Sequence, residues 1–144
     1  MKFTVKRTEI YGAMKTALRA VTKSSLQAAN GLLISADAER GVVEITGTDI
    51  RTTLIKRVKN AAVTESGEIV APAVTAEILR LAGADEITFE TGGNGGLSLL
   101  FGKSKYELPT IPAKEFPKSN ITYPARYVSV TGLGALLRRC AFAA

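Results

Sequence analysis

Met1-Lys2-Phe3-Thr4-Val5-Lys6-Arg7 opens the chain with strict alternation, apolar at Phe3 and Val5, polar at Lys2, Thr4 and Lys6. That is the period of a strand with one face buried. Ile10, Met14, Ala17, Leu18 and Val21 follow at helical spacing. A weakened copy of this strand–helix unit stands at the other end. There Tyr127-Val128-Ser129-Val130-Thr131 alternates, and Leu133, Leu136, Leu137, Cys140 and Ala144 share a helical stripe. Internal similarity sets the architecture before any other signal. A copy that breaks off inside a helix is expected of a second domain that has only begun.

Working outward from the first unit, the strand is expected over residues 2–7. The helix is expected from Thr8, as N-cap with Glu9 in the first turn, to Val21. Leu32-Leu33-Ile34 and Val42-Val43-Glu44-Ile45 form a hairpin around Ala38-Glu39-Arg40-Gly41, and a third strand over residues 50–58 follows the Thr46-Gly47-Thr48-Asp49 corner. After the polar bend Thr64-Glu65-Ser66-Gly67 the same order recurs. Glu68-Ile69-Val70 is a strand, and Pro72 opens a helix reaching Leu81. A hairpin then spans residues 85–101, and Lys103 to Leu108 close the set. Residues 2–58 and 67–108 thus read as two copies of strand–helix–strand–strand–strand. Two helices on one face of antiparallel sheet make an α+β domain. Residues 109–126 hold four of the five prolines and read as a wrap-up and linker.

At 144 residues the chain holds one domain with a real core and not two. No apolar run is long enough to span a bilayer, and no secretion signal opens the chain, so no membrane partner is expected. The single cysteine, Cys140, reads as a core residue in a reducing, cytoplasmic setting. The chain carries 19 Lys plus Arg against 13 Asp plus Glu, a net +6 that permits a polyanionic partner without demanding one. It has no histidine, which excludes His-based triads and His metal sites. Gly92-Gly93-Asn94-Gly95-Gly96 lies between two alternating runs with no Gly-Lys-Ser/Thr after it, so it reads as a hairpin turn and not a phosphate loop. No paired carboxylates form a recognisable motif. Catalytic residues, metal ligands and cofactors are all expected to be none.

Several segments together resemble a known family. They are Met1-Lys2-Phe3-Thr4-Val5, Thr46-Gly47-Thr48-Asp49, Val70-Ala71-Pro72-Ala73 and Gly102-Lys103-Ser104-Lys105-Tyr106-Glu107-Leu108-Pro109. In order and spacing they resemble the first domain of the bacterial sliding clamp, the beta subunit of DNA polymerase III. Pro112-Ala113-Lys114-Glu115-Phe116-Pro117 resembles the segment that ends that domain. The resemblance implies an N-terminal clamp domain over 1–117, a linker over 118–126 and the start of a second clamp domain over 127–144. It also implies a non-catalytic ring of two three-domain protomers around duplex DNA, helices lining the hole, tethering the polymerase. The implied partners are duplex DNA, a second protomer, DNA polymerase III and the clamp loader, although the family's peptide-binding groove lies in domains absent here. A shortened relative that binds intact clamps without encircling DNA is the alternative.

The residues add their own reading. Lys15, Arg19 and Lys23 recur every four residues opposite Ile10, Met14 and Leu18. Cations on a helix facing a duplex meet phosphates and carry no base information. Most charged stripes are solvated helix faces, so the stripe gains weight from the resemblance, which matches Lys23 to a DNA-touching loop and gives Arg80 a counterpart. Val74 and Thr75 stand where the family often carries basic residues, which makes the second helix a poorer DNA surface. The resemblance also assigns Lys103, Lys105 and Tyr106 to an edge strand that pairs with another protomer. An unpaired edge templates such pairing, and lysines on it guard equally well against aggregation.

Overall fold

The computed structural model describes residues 1–93, 95–118 and 129–141. Within them the chain runs β1 (Lys2–Lys6), α1 (Arg7–Ala17), β2 (Gly31–Asp37), β3 (Val42–Thr48), β4 (Thr53–Val58), β5 (Ala62–Glu65), β6 (Gly67–Pro72), α2 (Val74–Leu81), β7 (Glu86–Thr91), β8 (Leu97–Phe101), β9 (Ser104–Leu108), β10 (Ile111–Pro112) and α3 (Leu133–Cys140). Short 3-10 turns at Leu18–Ala20, Gln27–Asn30 and Ala113–Glu115 complete the set. The α+β class and the two strand–helix–strand halves stand as read. Each half also carries a further short strand, β5 or β10, that alternation did not reveal.

The two halves do not build separate sheets. One sheet has the order β5-β1-β7-β8-β9 and the other β10-β6-β2-β3-β4. Each half therefore lends its first strand to the other half's three-stranded meander, and its last short strand follows onto the lent strand's free edge. All neighbours are antiparallel, with Phe3 opposite Phe89 on β1–β7 and Ile34 opposite Ile69 on β2–β6. The arrangement is a pseudo-two-fold interlock.

Alternation fixes which side chains meet the helices. Phe3 and Val5 of β1, Leu32 and Ile34 of β2, and Val43 and Ile45 of β3 enter one core with Ile10, Met14 and Ala17 of α1 and Leu79 of α2. The rings of Phe3 and Phe89 stack with centroids 4.6 Å apart. Leu33 and Val70 point to the opposite face, where Phe116 covers them. The segment after β10 thus straps the outer face of the second sheet, and Lys118 Nζ reaches Glu68 Oε2 at 2.8 Å.

Two local expectations shift. The helix begins at Arg7 with no side-chain cap, so Thr8 lies inside it and is not its N-cap. A tertiary bond replaces the local cap: the Arg7 N–H donates to the Asp85 carbonyl at 2.7 Å. At the other end the α-helix stops at Ala17 and tightens into the 3-10 turn Leu18–Ala20. A Cβ at Gly47 of β3 would stand 2.2 Å from the Ala17 carbonyl oxygen, so only glycine lets the helix end sit this close to the sheet.

In the C-terminal part, α3 forms over Leu133–Cys140 with Leu133, Leu136 and Leu137 all about half exposed or more. Cys140, read as a core residue, is exposed. Residues 119–126 of the expected linker, Tyr127, Val128 and Ala144 lie outside the described residues, and Ser129 and Val130 belong to no strand. Among the described residues no helix is long and apolar enough to cross a membrane.

Two outcomes follow. Phe3→Ala removes a ring that is 1% exposed and is expected to cost about 3–5 kcal/mol in denaturant unfolding. The Lys118 ammonium holds the Glu68 carboxyl below its ordinary 4.5, helped by the Ser35 hydroxyl and opposed by partial burial. A depressed carboxylate pKa stabilises the fold above the unfolded value, and that contribution is lost as pH falls through the folded value. Glu68→Gln is therefore expected to flatten the fall in stability below about pH 4.5, measured by thermal unfolding across pH.

Candidate nucleic-acid interface

The amphipathic split of α1 places its cations. Ile10, Ala13, Met14 and Ala17 are buried, while Thr8, Gly12, Lys15 and Arg19 are exposed, one stripe at helical spacing. Lys15 sits in the last turn of α1, where the helix dipole favours positive charge. Arg19 stands on the 3-10 extension and not on the α-helix itself, and Lys23 is exposed in the loop beyond it. Among the described residues none of the three has a carboxylate within ion-pair distance. The stripe reaches solvent un-neutralised.

Arg80 is different. It is exposed on α2, which contacts α1, but its Nε lies 2.8 Å from Glu77 Oε2. The Glu77 carboxylate raises the guanidinium pKa further and offsets part of its charge towards a polyanion. The sequence held this signal, because residues three apart on a helix are neighbours. Val74 and Leu81 complete the exposed face of α2, at 50% and 73% exposure. This helix offers apolar surface and a neutral pair where α1 offers cations.

The second candidate surface lies at β9, an edge strand of its sheet. Tyr106 pairs in register with the buried Leu99, is 47% exposed, and stacks on Phe101 with centroids 5.4 Å apart. A cavity of about 310 Å³ beside it is lined by Ile78, Leu81, Ala82 and Phe101 as well as Tyr106. Phe101 and Leu81 thus extend an apolar patch that the sequence reading had confined to Tyr106. Lys105 lies on the other face of the strand, 2.7 Å from Glu107, and each raises or lowers the other's pKa towards the charged form. Lys103 is in the Gly102–Lys103 turn and not on β9, because Gly102 with φ +57° ends the pairing before Ser104. Among the described residues no cluster of His, Cys, Asp and Glu has the grouping a metal ion needs.

The family model of the DNA polymerase III beta subunit, N-terminal domain, matches residues 1–122. No curated protein matches the chain by sequence. The DNA polymerase III subunit beta of Pseudomonas aeruginosa superposes with a TM-score of 0.87 at 24% identity, over 98% of this chain and 38% of that one. The DNA polymerase sliding clamp of Caulobacter crescentus gives 0.78 at 26% identity, over 84% of this chain and 33% of that one. The sliding clamp of Bacillus subtilis gives 0.79 at 21% identity, over 84% and 34%. The chain spans little more than a third of the length of these structures.

If β9 is an association edge, Tyr106→Ala is expected to weaken any self-association seen by sedimentation. With the ring half exposed, unfolding stability should change by no more than about 1 kcal/mol. A large loss of stability with unchanged association would make Tyr106 a packing residue instead.

Proposed function

The chain belongs to the DNA polymerase III beta subunit family through that family's N-terminal domain, and from this premise we propose that it is a DNA-facing domain of a sliding clamp. Members of the family are non-catalytic processivity factors. In this reading Lys15, Arg19 and Lys23 meet the phosphates of a duplex passing over α1, without reading its sequence, and Arg80 adds little while Glu77 holds it. The carrying observation is the un-neutralised stripe on α1, set against the neutralised pair on α2. Loose contacts of this kind let a protein stay on DNA and still slide. Tethering of the polymerase, pairing with a second protomer and loading by the clamp loader belong to the same proposal, as does a cytoplasmic location.

The apolar edge at β9 favours a second reading, in which the chain docks onto intact clamps as a protein-interaction module without encircling DNA. Tyr106, Phe101 and Leu81 supply the anchor such a contact needs. The domain division is proposed on the same basis, with 1–117 as the N-terminal clamp domain, 118–126 as linker and 127–144 as the opening of a second domain. The exposed leucines of α3 support it.

The chain alone is expected to bind duplex DNA at the weak end of the roughly 10⁻⁴–10⁻⁶ M non-specific range. Replacing Lys15, Arg19 and Lys23 together by alanine should lower the slope of log affinity against log salt by about 2–3, with no preference among sequences. A triple variant that follows the parent's salt titration would reduce the stripe to a solvated face. Limited proteolysis is expected to leave a resistant core near residues 1–117, and cuts within β6–β9 at the same rate would dissolve the proposed boundary.

A further inference from the structure

Lys23 is the one cation of the stripe that no helix carries. It sits in the loop between the 3-10 turn Leu18–Ala20 and the 3-10 turn Gln27–Asn30. A lysine on a wandering loop contributes little, because ordering the loop costs entropy each time it binds. This loop is gripped instead. The Ser24 N–H donates to Asn30 Oδ1 at 2.7 Å, and Asn30 Nδ2 donates to the Ser24 carbonyl at 2.9 Å. Both backbone groups of the residue next to Lys23 are thus held by a single side chain. Ser24 Oγ in turn accepts from the Leu26 N–H at 3.2 Å.

The grip has a firm base. Ala28 and Ala29, just before Asn30, are 3% and 0% exposed. Gly31, just after it, comes so near β6 that a Cβ would stand 2.7 Å from the Ala71 carbonyl oxygen. Asn30 therefore cannot shift without disturbing the second sheet. The side-chain amide is suited to this task, since only Asn or Gln offers a donor and an acceptor side by side to a peptide group. Aspartate would lose the donor, and alanine both bonds.

We infer that Asn30 is a positioning residue for duplex binding: it clasps Ser24 so that Lys23 is presented, pre-ordered, as the end of the cationic stripe on α1. The inference rests on Lys23 meeting a phosphate, and it assigns the ordering of that contact to a residue that touches no DNA.

The experiment is a salt titration of binding to a short duplex by the full chain, as parent, Lys23→Ala, Asn30→Ala and the double variant. Lys23→Ala should lower the salt slope by about 0.9, the value of one phosphate contact. Asn30→Ala should lower it by a comparable amount, and the double variant should fall no further than Lys23→Ala alone. A merely structural role would not give that coincidence. If Lys23→Ala lowers the slope and Asn30→Ala leaves it unchanged, or if the two losses add in full, the positioning role is overturned while the phosphate contact stands. If Lys23→Ala changes nothing, the phosphate contact itself fails and the inference falls with it. Amide exchange in the parent tests the clasp without any variant, which covers the case of an Asn30→Ala chain that does not fold. The Ser24 amide is expected to exchange many-fold more slowly than that of Ser25, and equal rates would overturn the clasp.

Discussion

Everything in this domain depends on the exchange of first strands between its halves. The β2-β3-β4 meander is completed by β6, and the β7-β8-β9 meander by β1. Neither half can close its sheet from its own sequence, and a strand without a partner leaves backbone groups whose burial is costly. The contact that seals the exchange is apolar, with Phe3 stacked on Phe89 across β1–β7. On the second sheet Ile34 faces Ile69 across β2–β6. Because the two sheets share one core, loss of either seam would expose both helices.

The pseudo-two-fold makes the two helices structural equivalents, yet their exposed faces have diverged in charge. α1 and the loop after it keep three cations free of carboxylates among the described residues. α2 holds one cation against Glu77 and otherwise shows Val74 and Leu81. A polyanion passing over such a domain would feel one helix far more than the other. The two ends differ too, since Tyr106 and Phe101 make the β9 edge aromatic. One scaffold therefore offers two kinds of surface, one for charge and one for apolar contact.

How much of this could be read from the chain follows from how local each signal is. The alternation at Phe3 and Val5 and the 3.6-residue spacing of Ile10 and Met14 are local, and both elements were legible. Strand exchange was not, because a period says which face is buried and not which distant strand lies alongside. β5 escaped because Ala62-Val63-Thr64-Glu65 is a short edge with only Val63 turned towards the core, so alternation never develops. The N-cap of α1 lies two residues earlier than expected, at Lys6 and not Thr8, because Asp85, far along the chain, supplies what a local cap would. Within the site the positions of Lys15 and Arg19 were legible from spacing, and the edge character of Tyr106 through family resemblance. The Asn30 clasp joins a side chain to backbone groups six residues away, and no sequence pattern records such a bond.

The interlock also sets a timetable for synthesis. Thr4 of β1 is made 84 residues before Thr88, its side-chain partner across the seam. At roughly 5–20 residues per second, about 4–17 s pass before that partner has been added. Through that interval β1, with the buried faces of Phe3 and Val5, has at most the short edge strand β5 beside it, while β2, β3 and β4 can already pair with one another. The charges that flank them, Lys2, Lys6 and Arg7, are well placed to keep the waiting strand from pairing with a neighbouring nascent chain. A strand made before β2, β3 and β4 is thus flanked on both edges only after them.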